Sequence, residues 1–516
     1  MKINNKYIVF AFGLGLATLT SCNLDETPTT SIEIESDSTA IKSVLDLKSM
    51  TNGAYQSFRS TFYGDVSEVE EVMCDGFNAT SDYGNNFGPV HRMDVSYTAS
   101  DYDTQSMWNK FYTAIKDYNI LINSSNVFAK NNPTYKTQAA KANGEARFFR
   151  AYSYLQLIRH FAKAYNSSSA ATDLGVPLIL KYDQQAKPAR ATVKIIYDQI
   201  KTDLDAASND LANIPGSIGS NAVTIDAVNM LYARYYLDTK DYNNAATYAL
   251  KVINSKAGYT LSSDIATMTA EYSKDNGKEA IMQLPATQTE NGSGTNSIYT
   301  LSAYYAPLAS SGYPGNGVYQ EPYFLPSKKL ISLYEGTDLR LNQWFQNGTY
   351  TVNLAGDYYK KGITTFVKYL GNPDLTSNGV PNARQHVKPF LIGEAYLILA
   401  EADFYKGSTG DAKTYLNELQ TARKATATEA TEDAIEKEWF KETVGEGLRM
   451  SCLKRWGKGF SGRQAQDGLA DAGIVQSGAD SYENKEMKAD DVHWVWPIPS
   501  YEIIVNHPNL VQNPGF

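Results

Sequence analysis

The chain has 516 residues, 42% of them hydrophobic and 20% charged, which is the make-up of a globular protein able to bury a core and excludes wholesale disorder. Lys and Arg number 47 against 56 Asp and Glu, a net charge of −9, and no block of basic residues occurs; sequence-independent nucleic-acid binding, which rests on phosphate neutralisation, is excluded. Tyr (37) outnumbers Phe (19), a bias toward amphipathic contact surfaces over purely buried rings.

At the N-terminus, Lys2 and Lys6 precede an apolar stretch from Tyr7 to Leu19, which is the charged-then-apolar pattern of an export signal and is too short to span a bilayer. It ends in Leu19-Thr20-Ser21-Cys22, a sequence that resembles a bacterial lipobox, so residues 1–21 are expected to be a lipoprotein signal peptide and Cys22 the lipidated residue. Residues 22–39 then form the lipid anchor and an acidic, Thr/Pro-rich tether with Asp25 and Glu26. No later segment has the roughly 18 unbroken apolar residues that a spanning helix needs. The other two thiols, Cys74 and Cys452, lie far apart in sequence and are expected to be buried separately.

From residue 40 to 254 the pattern is mostly helical. Met107, Phe111, Ile115, Tyr118 and Ile122 recur at helical spacing, as do Phe148, Tyr152, Leu155, Ile158 and Ala162. Within residues 222–254, the stripe of Val228, Leu231, Tyr232 and Tyr235, a polar turn, and the stripe of Ala245, Ala249, Val252 and Ile253 predict a helical hairpin. Residues 255–385 change texture to Gly, Pro, Ser, Asn and Tyr, predicting a loop-rich insertion with short strands. Residues 386–516 resume the helical pattern, with a second hairpin at 388–424 (Ile392, Ala395, Leu399 and Ala402, then Ala412, Leu416 and Leu419) and a Pro-rich tail. The expected fold is mainly α: a tetratricopeptide-like scaffold of helical hairpins carrying the insertion as a ligand-binding lobe.

Binding usually resides in loops hung on such a scaffold. Tyr83, Asn85, Phe87 and Tyr97 stand in the loop-like stretch at 75–103, and Tyr299, Tyr304, Tyr305, Tyr313 and Tyr319 in the insertion, interleaved with Asn, Ser, Asp and Gly. Flat rings stack on sugar faces while amides and carboxylates take hydroxyls, so these nine residues are the expected ligand site. Signs of catalysis are missing: there is no phosphate loop, zinc helix, nucleophile elbow or Cys-x-x-Cys pair. His91, His160, His386, His493 and His507 are isolated, and Asp101-Tyr102-Asp103 reads as a solvated turn in preference to a cation site. Glycoside hydrolysis, which needs only two well-placed carboxylates, stays open at this level.

Three blocks resemble one family. Gly144-Glu145-Ala146-Arg147-Phe148-Phe149-Arg150-Ala151-Tyr152, running on through Arg159-His160-Phe161 to Leu174-Gly175-Val176-Pro177-Leu178-Ile179, resembles the signature helix of the SusD/RagB-like nutrient-binding lipoproteins of Bacteroidetes. Glu446-Gly447-Leu448-Arg449 to Leu453-Lys454-Arg455-Trp456-Gly457 is similar to its second block, and Trp496-Pro497-Ile498-Pro499 through Asn513-Pro514-Gly515-Phe516 to its ending. Departures occur at Ala162 (often Gly in the family), at Cys452 (usually Asp) and at His507, which looks like an extra residue. The resemblance implies a right-handed stack of tetratricopeptide-like hairpins and a non-catalytic, cofactor-free role. It implies a protein lipid-anchored to the outer membrane, facing the exterior, that captures oligosaccharides for polysaccharide utilisation and passes them to a SusC-like TonB-dependent transporter. Capture of peptides or another nutrient by the same architecture is the alternative, and a surface hydrolase the weaker one. The family's signature blocks are structural, so they carry no ligand residue over to this chain.

Overall fold

A computed structural model describes residues 39–62, 65–183, 185–288, 304–308, 317–376, 380–476 and 485–516. Cys22 and the rest of the expected signal, anchor and tether up to residue 38 lie outside the described residues, as do Tyr299 and Tyr313.

The scaffold begins with α1 (Val44–Ser60), whose N-cap Ser43 and Asp46 form a reciprocal capping box. Then come α2 (Asp65–Met73), α3 (Gly88–Arg92), α4 (Tyr102–Asn131), α5 (Lys136–Phe161) and α6 (Val193–Asp210). The Asp101 carboxylate accepts the Thr104 N–H at 2.9 Å and caps α4. The sequence predicted a solvated turn here; instead Asp101 and Asp103 are buried, because the α4 N-terminus is covered and its unpaired N–H groups need a side-chain acceptor.

On α5 the predicted stripe is buried, yet burial runs round the whole helix from Ala142 onward, since α4 packs on one side and α6 on another. Ala162 lies just past the helix end in extended conformation. Phe58, Phe148 and Phe149 are fully buried between α1 and α5, each contributing about 1.5–3 kcal/mol by leaving water. Arg147 and Arg150 reach across to one carboxylate on α6, Asp203, at 3.0 Å and 2.6–2.8 Å.

The next hairpin is α7 (Ile225–Asp238) and α8 (Tyr242–Ile253), and α12 (Ile392–Tyr405) packs on α8 before turning into α13 (Thr409–Ala422). Residues 388–391, predicted at the start of that second hairpin, instead belong to strand β12 (Val387–Leu391), which pairs antiparallel with β4 (Ala280–Leu284). The stack of hairpins is the mainly α, tetratricopeptide-like architecture expected, closed by α14 (Glu432–Thr443), α15 (Arg449–Trp456) and a terminal helix α16 (Ser500–Val505). Cys74 and Cys452 are separate, buried free thiols.

Between the hairpins lie the short helices α9 (Ile265–Tyr272), α10 (Lys328–Ile331) and α11 (Leu339–Trp344), together with most of the strands. This region has two apolar clusters of its own, one around Trp344, Phe366 and Phe440 and a smaller one around Val352, Leu354 and Ile474. Buried charge joins it to the scaffold. Arg423, at the end of α13, donates to Glu279 at 2.8 Å, to the Ser262 carbonyl at 2.8 Å and to Glu442 of α14; Arg340 pairs with Asp338, Glu438 and Glu442.

Candidate functional site

Four strands run in the order β10 (Asp357–Tyr359), β9 (Thr351–Leu354), β6 (Val318–Glu321), β5 (Tyr304–Pro307). β9 and β10 are joined by Ala355-Gly356, both with positive φ (55° and 83°), the two-residue turn that matches the natural twist of a hairpin. Side chains alternate across this sheet. One face is apolar at Val352 and Leu354, which are buried in the smaller cluster. The other carries Tyr319, Glu321, Asn353 and Tyr358, all half-buried. There the Tyr319 and Tyr358 rings meet edge to face at 6.0 Å and the Asn353 amide donates to Glu321 at 2.7 Å. In register, Tyr304 pairs with Glu321 and Tyr305 with Gln320, a residue that is fully buried.

The N-terminal loop is fastened against this sheet. Strand β1 (Phe77–Ala79) pairs antiparallel with β7 (Phe324–Pro326), and the Thr80 N–H and hydroxyl donate to the carbonyls of Tyr323 and Pro322, each at 2.9 Å. The next turn clips on at the hairpin: the exposed Asp82 accepts the N–H of Ala355 at 2.7 Å. Ala355 holds a left-handed conformation that disfavours a Cβ, and this hydrogen bond helps to fix it. Gly84, Asn85 and Phe87 also have positive φ, so the loop folds tightly back on itself.

Arg92 organises that loop. Its guanidinium donates to the Tyr83 hydroxyl at 2.9 Å, Asn85 Oδ1 at 2.7 Å, Ser96 Oγ at 3.0 Å and Asp94 at 3.0 Å. Burial, the largest single effect, raises the Asp94 carboxyl, but hydrogen bonds from Ser96 together with the charge and hydrogen bond of Arg92 outweigh it and hold the group below the usual range, so it stays charged. The result is a rigid polar ridge beside an aromatic sheet face.

The nine expected ligand residues separate accordingly. Asn85 is exposed and Tyr319 half-buried, both on the surface just described. Tyr83 is 8% exposed and Phe87 half-buried, each ring packing on Phe324, so they support the loop more than they present it. Tyr97 is 3% exposed, against His493 and Phe516, and belongs to the scaffold. Sequence reasoning missed Asp82, Arg92, Glu321, Asn353 and Tyr358. A signal for the last two was present, since Thr351 to Tyr359 alternates around Ala-Gly like a hairpin.

Fold and surface together define a helical-repeat protein that presents a face of aromatic and polar side chains on inserted strands. A family profile described as "Starch-binding associating with outer membrane" matches residues 24–237, and the SusD family profile matches residues 309–516. The chain belongs to the SusD family. The starch-binding protein SusD of Bacteroides thetaiotaomicron is 36% identical over 129 residues, a match spanning 25% of this chain and only 21% of that protein. A crystal structure of a SusD superfamily protein from the same organism superposes with a TM-score of 0.74 at 22% identity, covering 91% of this chain and 99% of that one. A laminarin-binding SusD-like protein (TM-score 0.67, 20% identity) covers 92% of this chain, itself matched over 100%. The surface glycan-binding protein A of Bacteroides fluxus (TM-score 0.68, 20% identity) gives the same two coverages.

Proposed function

We propose that this protein is a cell-surface, glycan-binding lipoprotein that captures oligosaccharides and delivers them to a SusC-like TonB-dependent transporter in the outer membrane. The observation that carries the reading is the sheet face on which the Tyr319 and Tyr358 rings stand beside the Asn353–Glu321 pair, next to the hairpin turn to which Asp82 clips the N-terminal loop. Rings offer stacking area to the apolar face of a sugar, and the amide and carboxylates satisfy its hydroxyls. Membership of a family that includes starch-, laminarin- and glycan-binding proteins supports the same ligand class.

The chemistry proposed is binding without bond cleavage, with no cofactor. Cys22 would carry the lipid, and the transporter would supply the energy of uptake. The test is calorimetric titration of the soluble chain from Asn23 onward against a panel of glycans and peptides, with each ligand examined afterwards for cleavage. One glycan class bound and recovered intact is the expected result. Peptide binding, or a cut ligand, would reject it.

A further inference from the structure

A cavity of about 300 Å³ lies on the helical scaffold, between α4, the chain at 177–183 and 185–188, and the terminal helix α16. None of its wall comes from the four-stranded sheet or from the loop that Arg92 organises. Its volume is at the small end of the roughly 300–1,000 Å³ range of small-ligand sites, which suits one ring and its substituent better than an oligosaccharide.

Hydrogen bonds of the fold itself fix the walls. The Tyr112 hydroxyl donates to the Pro177 carbonyl at 2.8 Å and the Asn119 amide to the Ile179 carbonyl at 2.9 Å, which hold that stretch of chain against α4. At the other wall the Ser500 N–H donates to the Ala99 carbonyl at 2.8 Å, and the Asn509 amide to the Lys187 carbonyl at 2.8 Å, so α16 is tied down on both sides.

The lining is largely apolar. The Trp108 and Tyr112 rings meet at 4.6 Å, tilted by 44°, and Pro177, Ile179, Val505 and Leu510 complete the apolar wall. Val505 is 60% exposed and its neighbour Ile504 75%, so apolar surface continues outward from the cavity at α16. Four charged residues complete the lining, and their signs balance: Lys116 and Lys181 against Asp183 and Glu502. Lys116 lies 3.4 Å from Asp117, Asp183 accepts the Gln185 N–H at 2.9 Å, and Glu502 accepts the Asn506 amide at 2.9 Å. The exposed Lys181 side chain has no hydrogen bond or ion pair among the described residues. Ammonium donors and carboxylate acceptors with no net charge suit hydroxyl groups and favour no ion of either sign.

We infer that this cavity is a second ligand site, separate from the sheet face, for a saccharide that carries an aromatic substituent: the ring enters beside Trp108, Tyr112 and Val505, and the hydroxyls of the attached sugar meet Lys181, Asp183 and Glu502. The saccharide part rests on the glycan-binding reading above, whereas the aromatic part rests on the cavity alone.

The experiment titrates the soluble chain with phenyl and methyl β-glucopyranosides, with the matching pair of β-galactopyranosides, with benzyl alcohol and with maltotriose. It repeats each titration on Val505→Asp and Lys181→Ala, both at exposed positions, and on Tyr319→Ala, with melting temperature as the check on folding. At least one phenyl glycoside is expected to bind about tenfold or more tightly than its methyl counterpart. That affinity should fall about tenfold in Val505→Asp, which puts a charge at the apolar mouth, and about threefold in Lys181→Ala, the size of one exposed charged contact, with no change in Tyr319→Ala. Equal affinity for phenyl and methyl glycosides, no binding of either phenyl glycoside, or full affinity in both cavity variants would overturn the site. Benzyl alcohol bound as tightly as the phenyl glycosides would overturn its saccharide part. Phenyl glycosides lost only in Tyr319→Ala would overturn the cavity and leave the sheet reading standing, whereas cavity binding by a chain that binds no unsubstituted glycan through its sheet would have the reverse meaning.

Discussion

In the helical scaffold Tyr118, Tyr154 and Tyr232 are buried, and Tyr154 accepts the Ile179 N–H at 2.7 Å while donating to its carbonyl at 2.9 Å, a structural bolt between α5 and the segment after β2 (Leu174–Pro177). On the four-stranded sheet Tyr319 and Tyr358 are only partly buried, and their neighbours are the amide of Asn353 and the carboxylate of Glu321. One residue type therefore does two jobs. What separates them is the element beneath: a helix packed on several sides has no outward face to spare, whereas a sheet with one apolar face must turn the other outward.

The same contrast governs charge. In the scaffold and at its junction with the insertion, ions are buried in closed sets, such as Arg423 with Glu279 and Glu442, or Arg455 with Glu401 at 2.7–3.0 Å. Near the sheet they lie at the surface and face solvent. Removing a member of a buried set strands its partners, so Arg423→Met is expected to lower stability by about 3–5 kcal/mol in denaturant titrations. Glycan affinity of the remaining folded protein should not change. A smaller loss would mean that the junction relaxes and that the two regions are less firmly joined than the ion pairs imply.

A second effect is set by pH. Burial first, and then the charge of the neighbouring Glu70, push the Glu71 carboxyl from 4.5 up to about 8, against the hydrogen bonds from the Gly445 and Gly447 N–H groups and the charge of Lys368. Between those two values the folded chain holds a proton that the unfolded chain has released, so stability falls as pH rises across that window and is higher at its acid end. One such proton contributes a slope of up to about 1.4 kcal/mol per pH unit. Glu71→Gln is expected to flatten the stability profile between pH 5 and 8, as read by melting temperature.

On the sheet the effects move to binding. Tyr319→Ala and Tyr358→Ala are each expected to weaken glycan affinity about tenfold, near 1.4 kcal/mol, with melting temperature unchanged. If melting temperature drops instead, these rings are packing elements and the contrast with the scaffold tyrosines disappears. The smallest effect falls on exposed charge: Lys437→Ala removes a helix-surface pair with Asp433 and should change stability by no more than about 0.3–0.5 kcal/mol.

Much of the scaffold is legible in the chain. The stripes on α4, α7, α8, α12 and α13 stand at helical spacing because each lines a contact with a neighbouring helix, and that requirement is written locally. The Glu145, Arg147 and Arg150 triad announces ion pairs by its composition. Its partners were not legible: Asp203 lies in another helix and Tyr55 far upstream, and contacts of that range leave no local pattern. Of the binding surface, the Tyr-rich composition was visible, while the sorting of rings was not. Tyr97 and Tyr319 sit in similar polar contexts in sequence, and only the packing of the C-terminal segment with Phe516 on the first distinguishes them.

By itself, the sequence determined the fold class, the two hairpins and the family, because hydrophobic periodicity and contiguous motifs are local properties. The tertiary structure alone decided which aromatic residues face water and that Asp82 pins the loop to the Ala355 turn. Those features come from segments distant along the chain, and only the folded core holds them together.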